Sequence, residues 1–167
     1  MKLLIHDMEK EKLKELLQDS TDNLTIVSEH EVIHNCIGCF GCWVKSPGTC
    51  VIHDKYEDMG EKLSKCQELI IISKCFYGGF SPFVKNVLDR SISYIHPYFT
   101  FRNGEMHHRR RYDNHIHLKV WFYGENITEQ ERQTAYKLVR ANSVNLDCSA
   151  EKVTFVEDIS EIKDFLT

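Results

Sequence analysis

The apolar run from Glu68 to Ser73 (ELIIIS) is the segment that most restricts how this chain can fold. Its length and its β-branched side chains are typical of a strand buried on both faces, because a half-exposed strand alternates apolar and polar residues. Such a strand needs a covering layer on each side of its sheet. Helices packed on both faces of a parallel sheet supply these layers, so the run favours an α/β fold.

Strand and helix patterns alternate before and after this run. Further strands are predicted at Lys2–Ile5, around Leu24 and Ile26, at His115–Tyr123 and at Lys152–Val156. Helices are predicted where apolar residues recur at helical spacing; they contain Leu13 with Leu17, Met59 with Leu63, Val84 through Ile95, Ala135 with Val139, and Ile159 through Leu166. Asp54 with Glu57, Ser81-Pro82, and Thr128 with Glu131 are predicted to open three of them. The alternation predicts a doubly wound, five-stranded parallel sheet.

The size and charge of the chain exclude several classes of protein. A chain of 167 residues is about one domain in size, and we predict a single domain over 1–167. The formal charge of -4 does not favour a protein held to nucleic acid by phosphate neutralisation. The N-terminal segment lacks the apolar stretch of a secretory signal, and no apolar run approaches the roughly 18 residues of a membrane span. We therefore predict a cytoplasmic protein with no nucleic-acid or membrane partner.

Four of the seven cysteines share a compact spacing. Cys36, Cys39, Cys42 and Cys50 form a C-x2-C-x2-C-x7-C pattern in a cysteine-rich loop over 35–53. In a reducing cytoplasm, clustered thiols bind metal or carry out redox chemistry more often than they form structural disulfides. A [4Fe-4S] cluster takes four thiolates, and zinc accepts the same ligands. We therefore predict a metal site on these four cysteines, with the cluster favoured and zinc as the alternative.

Other interpretations of the cysteines stay open. The loop can instead be a set of redox-active thiols, or an inert loop whose cysteines are buried as small apolar residues. Of the other cysteines, Cys66 is predicted to lie in the core. Cys75 follows the buried strand, where ligands of such sheets bind, and is therefore a candidate site residue.

The order of the elements, the position of the cysteine loop and the segment SKCFYGGFSPFVKNVLDR resemble the flavodoxin-like NADPH-dependent FMN reductases, and most closely their iron-sulfur flavoprotein relatives. The resemblance covers most of residues 24–146, implies the sheet order 2-1-3-4-5, and extends to the family's cluster motif, which the four spaced cysteines match. It also implies that FMN, NAD(P)H and a small-molecule electron donor or acceptor are bound. The residues that it assigns to the flavin are Ser73, Lys74, Cys75, Phe76, Tyr77 and Gly78 after the third strand, and Tyr123, Gly124 and Glu125 after the fourth.

The segment after the first strand departs from this family. FMN-binding relatives carry a glycine- and hydroxyl-rich loop there, whose N–H groups hold the phosphate. This chain instead has the segment from His6 to Glu11, with three carboxylates and no Gly, Ser or Thr. Lys74 also stands where the family has proline. Either FMN binds weakly, with its phosphate held elsewhere, or the flavin site has been lost.

A basic and aromatic insertion over 94–114 precedes the predicted fourth strand of the sheet. Its run from Met106 to Tyr112 contains three consecutive arginines, which can contact phosphate oxygens, although charge runs are more often solvated faces. In the family this region lies near the flavin and at subunit contacts. The resemblance therefore implies a homodimer or homotetramer, with the insertion as its contact.

Two functional hypotheses follow. The first is an NAD(P)H-dependent flavin oxidoreductase or electron-transfer flavoprotein, in which the cofactors carry the chemistry and no catalytic side chain is required. The second is a protein of the same fold that has lost FMN and uses the cysteine loop as a metal-binding or thiol redox module.

Overall fold

The structure, a computed structural model, describes residues 1–17, 23–29, 32–102, 104–163 and 165–166. Its helices and strands in chain order are β1 (Lys2–His6), α1 (Lys10–Leu17), β2 (Leu24–Ser28), α2 (Gly41–Val44), α3 (Met59–Ser64), β3 (Glu68–Lys74), α4 (Pro82–Arg90), β4 (Ile95–Arg102), β5 (Glu105–Arg110), β6 (His117–Tyr123), α5 (Glu129–Asn145) and β7 (Ser149–Val156). Short 3-10 helices cover Ser91–Tyr94 and Ile159–Glu161.

Five strands form one parallel sheet in the order β2-β1-β3-β6-β7. Counted along the chain without β4 and β5, this is the order 2-1-3-4-5, so the predicted fold class and strand order are confirmed. β3 lies in the middle of the sheet, and its residues Leu69 to Ile72 are at most 1% exposed. The apolar run is therefore the strand buried on both faces that its composition predicted.

The two faces of the sheet carry separate cores, because successive side chains of a strand point to opposite faces. Leu69 and Ile71 belong to the core that also contains Met59 of α3, Val84 of α4 and Val139 of α5. On the other face, Ile70 and Ile72 belong to a core with residues of α1 and of the segment after β7; these are Leu13, Leu17, Ile159, Ile162 and Phe165. Helical layers on both faces confirm the doubly wound arrangement.

Two predicted helix starts are confirmed by their hydrogen bonds. The Ser81 hydroxyl accepts the N–H of Val84 at 3.3 Å, and Pro82 is the first residue of α4. Thr128 and Glu131 form a reciprocal capping box at the start of α5. These caps fix where each helix leaves the carboxyl edge of the sheet.

Three other boundaries differ from the predictions. α3 begins at Met59 rather than near Asp54, because the Asp54 carboxylate pairs with Arg90 instead of capping a helix. α4 ends at Arg90, and the 3-10 helix over Ser91–Tyr94 takes up part of the predicted continuation to Ile95. Near the C-terminus, where a helix to Leu166 was expected, the chain forms the 3-10 helix over Ile159–Glu161, capped by Asp158. Asp164 of that predicted helix lies outside the described residues.

The insertion over 94–114 contains an antiparallel hairpin of β4 and β5, with Phe99 opposite His108 and Thr100 opposite His107. The sequence pattern did not predict these two strands, because the segment has the composition of a polar loop. Within the described residues, no helix combines the length and the apolar character that crossing a bilayer requires. The single domain over 1–167 and the cytoplasmic location stay predictions.

Candidate functional site

A cavity of about 680 Å³ lies between the cysteine loop and helices α4 and α5, and we call it the thiol cavity. All four spaced cysteines line it: Cys36 and Cys39 are exposed, Cys42 is half-buried and Cys50 is buried. Its other walls are largely apolar and include Phe80, Leu88 and Leu138. Its volume and its lining are in the range of small-molecule and cofactor sites.

The Cys42 thiol is affected by its burial and by the three other thiols of the loop. Burial raises the pKa of the Cys42 thiol, and the neighbouring thiols of Cys50, Cys36 and Cys39 raise it further. Among the residues that the structure describes, however, no three His, Cys, Asp or Glu side chains are grouped closely enough to hold a metal ion. The fold thus brings the predicted ligands to one cavity without assembling them into a finished coordination site.

Arg90, the last residue of α4, joins the two ends of the cysteine loop. Its guanidinium donates to the carbonyl of His34 at 2.8 Å, before Cys36, and to the carbonyl of Ile52 at 3.0 Å, after Cys50. It also makes two hydrogen bonds to the Asp54 carboxylate, at 2.7 and 2.9 Å. The Arg90 side chain is fully buried, so the Arg90–Asp54 pair holds the two ends of the cysteine loop together in a position shielded from water.

Cys50 lies beside this buried cation. Burial lowers the pKa of Arg90, but Asp54 and the Cys50 thiol outweigh that effect and raise it. The Cys50 sulfur also accepts the N–H of Ile52 at 3.5 Å. The Nε atom of Arg90 is buried and has no hydrogen-bond partner among the described residues. Four cysteine thiols with a buried cation beside them have the donor chemistry that an anionic [4Fe-4S] centre or zinc takes, although the side chains that the structure describes are not gathered into a coordination site.

Trp43 ties the cysteine loop to the hairpin. Its indole N–H donates to the carbonyl of Ile95 at 2.9 Å, and its ring lies 5.1 Å from that of His108 and 5.4 Å from that of Phe40. Gly60 of α3 approaches the same loop so closely that a Cβ there would lie 2.6 Å from the carbonyl oxygen of Gly48. The loop is therefore packed against regular structure on two sides.

The residues predicted to contact a flavin lie at the carboxyl ends of β3 and β6, and the structure brings these two ends together. The N–H of Cys75 donates to the carbonyl of Tyr123 at 2.9 Å. Ser73 is buried, and its hydroxyl accepts the N–H of Ser81 at 2.8 Å, so it supports the start of α4. Lys74 and Glu125 are exposed, whereas Gly124 is half-buried. Their assignment to a cofactor stays a prediction.

A tight turn follows β3 and presents two aromatic side chains. Phe76 and Gly79 exchange backbone hydrogen bonds of 3.0 and 2.7 Å, and Phe76 and Tyr77 are 42% and 89% exposed. Gly78 has a φ of +81°, and a Cβ at this position would lie 2.6 Å from the carbonyl oxygen of Glu131. Glycine therefore lets the turn pack on α5 while its aromatic rings stay accessible to a planar ligand.

The loop that begins at Asp7, after β1, does not fit the phosphate of FMN. Folds with this strand order bind FMN at the switch point between β1 and β3. Here Asp7 follows β1, and its carboxylate accepts the N–H of Lys74 at 3.0 Å and the hydroxyl of Tyr123 at 3.0 Å. A carboxylate only accepts hydrogen bonds and carries the same sign of charge as a phosphate. The residues at the switch point are therefore unfavourable for binding the phosphate group of FMN.

Three arginines of the hairpin region, Arg102, Arg110 and Arg111, are engaged within the protein. Arg102 and Arg110 both pair with Asp147, and Arg111 donates to the carbonyl of Ser93 at 3.0 Å. The two pairs with Asp147 hold the hairpin against the end of α5.

Sequence reasoning missed the roles of Arg90 and Asp54. A signal for Arg90 was present, since it follows Val84 and Val87 at three-residue steps and so falls on the buried face of α4. Its partner could not be predicted, because Asp54 is 36 residues away along the chain.

Comparisons with known proteins identify similar folds and a distant sequence similarity. No protein-family model matches the chain. An iron-sulfur flavoprotein of Methanocaldococcus jannaschii is 28% identical over 82 residues, which cover 49% of this chain and 42% of that relative. The similarity thus spans less than half of the relative's length.

Solved structures are similar over nearly the whole chain. Azoreductase AzrA superposes with a TM-score of 0.57 at 9% identity, covering 93% of this chain and 86% of that one. An FMN-dependent NADH-azoreductase from Bacillus anthracis, in complex with FMN, gives 0.56 at 9% identity with coverages of 98% and 89%. An NADPH-quinone reductase from P. pentosaceus gives 0.54 at 12% identity with the same coverages. The chain therefore has the flavodoxin-like fold of these reductases, as its sequence resemblance predicted.

Proposed function

We propose that the chain is an NAD(P)H-dependent flavin oxidoreductase that exchanges electrons between a flavin at the switch point and a centre on the cysteine loop. The observation that carries this proposal is the lining of the thiol cavity. Gly79 and Phe80, from the turn after β3, share that cavity with all four spaced cysteines. A ligand on the aromatic turn and a centre on the thiols would thus be neighbours.

The flavin part of the proposal is supported by the aromatic turn and by the reductases that share the fold. A bound flavin would supply the chemistry, since it accepts a hydride from NAD(P)H and passes electrons on to a small-molecule acceptor. The chain's own part is to present Phe76 and Tyr77 to the ring and to hold the loops after β3 and β6 together through the Cys75–Tyr123 hydrogen bond.

The centre that we propose on Cys36, Cys39, Cys42 and Cys50 is a [4Fe-4S] cluster, with zinc as the alternative. Three observations support it: the thiols line one cavity, a buried guanidinium lies beside Cys50, and an iron-sulfur flavoprotein is similar over 49% of the chain. A cluster supplies one-electron transfer, whereas zinc has no redox chemistry.

Oxidation of NADH and NADPH by the purified chain tests the proposed activity. With a flavin added and ferricyanide as the acceptor, we expect nicotinamide oxidation that requires both the protein and the flavin. Nicotinamide oxidation that is absent, or that proceeds equally without the protein, would rule out the oxidoreductase.

Metal analysis of anaerobically purified protein tests the cysteine centre. We expect iron with acid-labile sulfide in the wild-type chain and its loss in Cys42→Ser. Cys148→Ser is the matched control, because Cys148 lies outside the loop and its burial raises its pKa to about 12, which keeps it a protonated thiol. If zinc is found without sulfide, the site is a structural zinc site and not a cluster. If neither iron nor zinc is found, the four cysteines are free thiols.

A second candidate function is a flavin-free metal or thiol module, and the Asp7 contacts favour it. Asp7 already bridges the ends of β1, β3 and β6. If neither FMN nor riboflavin binds while the loop binds metal, this second function replaces the first.

A further inference from the structure

At the carboxyl edge of the sheet, the side chain of Asp7 forms hydrogen bonds with the ends of neighbouring strands. Asp7 accepts from the N–H of Lys74 and from the hydroxyl of Tyr123, so one carboxylate joins the ends of three strands. This carboxylate lies at the switch point between β1 and β3, where sheets of this order bind their ligands.

Four backbone N–H groups of these loops already donate hydrogen bonds within the chain. The N–H of Met8 donates to the ring nitrogen Nδ1 of His6 at 3.1 Å, and that of Lys74 donates to Asp7. The N–H of Gly124 donates to the carbonyl of Val156 at 3.2 Å, and that of Cys75 to Tyr123. Phosphate sites at such loops depend on backbone N–H groups that point to the ligand.

The charge around the switch point is negative. Burial raises the pKa of Tyr123, and the carboxylates of Asp7, Glu9 and Glu29 raise it further. The amino group of Lys74 lies 5.9 Å from the centre of the Phe76 ring, over the aromatic turn. A phosphate at the end of β1 would therefore meet carboxylates first.

We propose that this site selects a flavin without a phosphate and disfavours FMN, because the Asp7 carboxylate lies at the switch point, repels a phosphate there and already accepts the N–H of Lys74. The inference rests on the proposed flavin function and names its cofactor more closely. Riboflavin is the simplest such flavin. Its terminal ribityl hydroxyl donates a hydrogen bond, which a carboxylate accepts, whereas the phosphate of FMN at neutral pH mainly accepts.

Binding of riboflavin and FMN to the purified full-length chain tests the inference, with flavin fluorescence as the readout. We expect riboflavin to bind at least about tenfold more tightly than FMN at low salt. Raising the salt from about 0.05 M to about 0.5 M should narrow the difference, because salt screens the repulsion of the phosphate. Equal binding, or tighter binding of FMN, overturns the inference and leaves the flavin function standing.

Asp7→Asn supplies the matched variant, because it keeps the size of the side chain and removes its charge. We expect the preference for riboflavin over FMN to fall about tenfold in this variant. Glu15→Gln is the control, since Glu15 is an exposed carboxylate of α1 that pairs with Lys12, and it should keep the wild-type preference. An unchanged preference in Asp7→Asn contradicts the role of Asp7. Binding of neither flavin to the wild-type chain overturns this inference together with the flavin function.

Discussion

At the scale of single residues, Arg90 has the most consequences for the candidate site. It lies at the end of α4, it is fully buried, and it contacts both ends of the cysteine loop and the Asp54 carboxylate. Removing one partner of a buried ion pair leaves the other charge without compensation. The loop that carries the thiols therefore depends on a residue that is not itself a ligand.

Arg90→Met should lower the free energy of unfolding by about 3–5 kcal/mol, because Asp54 then stays buried without its partner. Urea denaturation measures this loss. Lys85→Met is the control on the same helix; Lys85 forms an exposed pair with Asp89, so its loss should cost less than about 1 kcal/mol. Equal effects of the two substitutions would contradict the role of Arg90.

The same pair predicts how stability depends on pH. Burial alone would raise the pKa of Asp54, but hydrogen bonds from Arg90 and from the N–H groups of Tyr56 and His34 hold it well below its ordinary value of 3.8. This stabilisation is complete above about pH 4 and is lost as pH falls through the lower folded-state pKa. The unfolding free energy of the wild-type chain should thus fall below pH 4, and Asp54→Asn should show a smaller fall in urea denaturation at each pH.

At the scale of elements, the packing of α3 against the cysteine loop requires Gly60. A Cβ at this position would lie 2.4 Å from the Ser93 hydroxyl oxygen and 2.6 Å from the Gly48 carbonyl oxygen. Gly60→Ala should therefore cost about 1–2 kcal/mol net, although alanine is favoured over glycine in a helix by about 1 kcal/mol. Thermal or urea unfolding measures the sign, with the exposed position Glu61→Ala as the control. A stabilised Gly60→Ala variant would show that the loop moves away freely.

The elements also show which parts of the fold can be predicted from sequence. The β3 run and the caps at Ser81 and Thr128 are local signals, and the structure confirms them. Asp54 carries an equally good local capping signal, but a distant cation competes for its carboxylate. The hairpin was missed because Ile95 to Arg102 alternates poorly and Ile95 is the only buried residue of its two strands.

At the scale of the whole molecule, an exposed apolar surface extends over the cysteine loop and the hairpin. It contains Ile37 and Phe40 from the loop and Phe99 and Phe101 from β4, which are 59–77% exposed. Ring contacts of Trp43 and Phe99 with His108 connect the two parts. Exposed apolar patches of this kind mark interaction surfaces, which supports the homodimer or homotetramer predicted from the family resemblance. The assembly stays a prediction.

Sedimentation velocity tests the predicted assembly. The wild-type chain should sediment as a dimer or tetramer, and Phe101→Ser should shift it towards the monomer. Tyr77→Ser is the matched control, because Tyr77 is 89% exposed but lies on the turn after β3. A wild-type monomer at all concentrations would contradict the assembly.

Some features of the candidate site could be predicted from residue spacing, whereas others are visible only in the folded chain. The cysteine spacing predicted that four thiols meet in one loop, and they line one cavity. The carboxylates of the first loop predicted a poor phosphate site, but not that Asp7 accepts hydrogen bonds from Lys74 and Tyr123, 67 and 116 residues away along the chain. Contacts at such separation arise from strand order, which no local pattern contains.

The visible absorption spectrum of the chain purified without oxygen, recorded before and after addition of riboflavin or FMN, tests whether the protein carries a flavin. We expect the two visible bands of an oxidised flavin, present at once or gained on adding riboflavin and retained through gel filtration. Bleaching of these bands by NADPH should follow. A preparation that retains neither flavin after gel filtration would contradict the claim that this fold carries a flavin here.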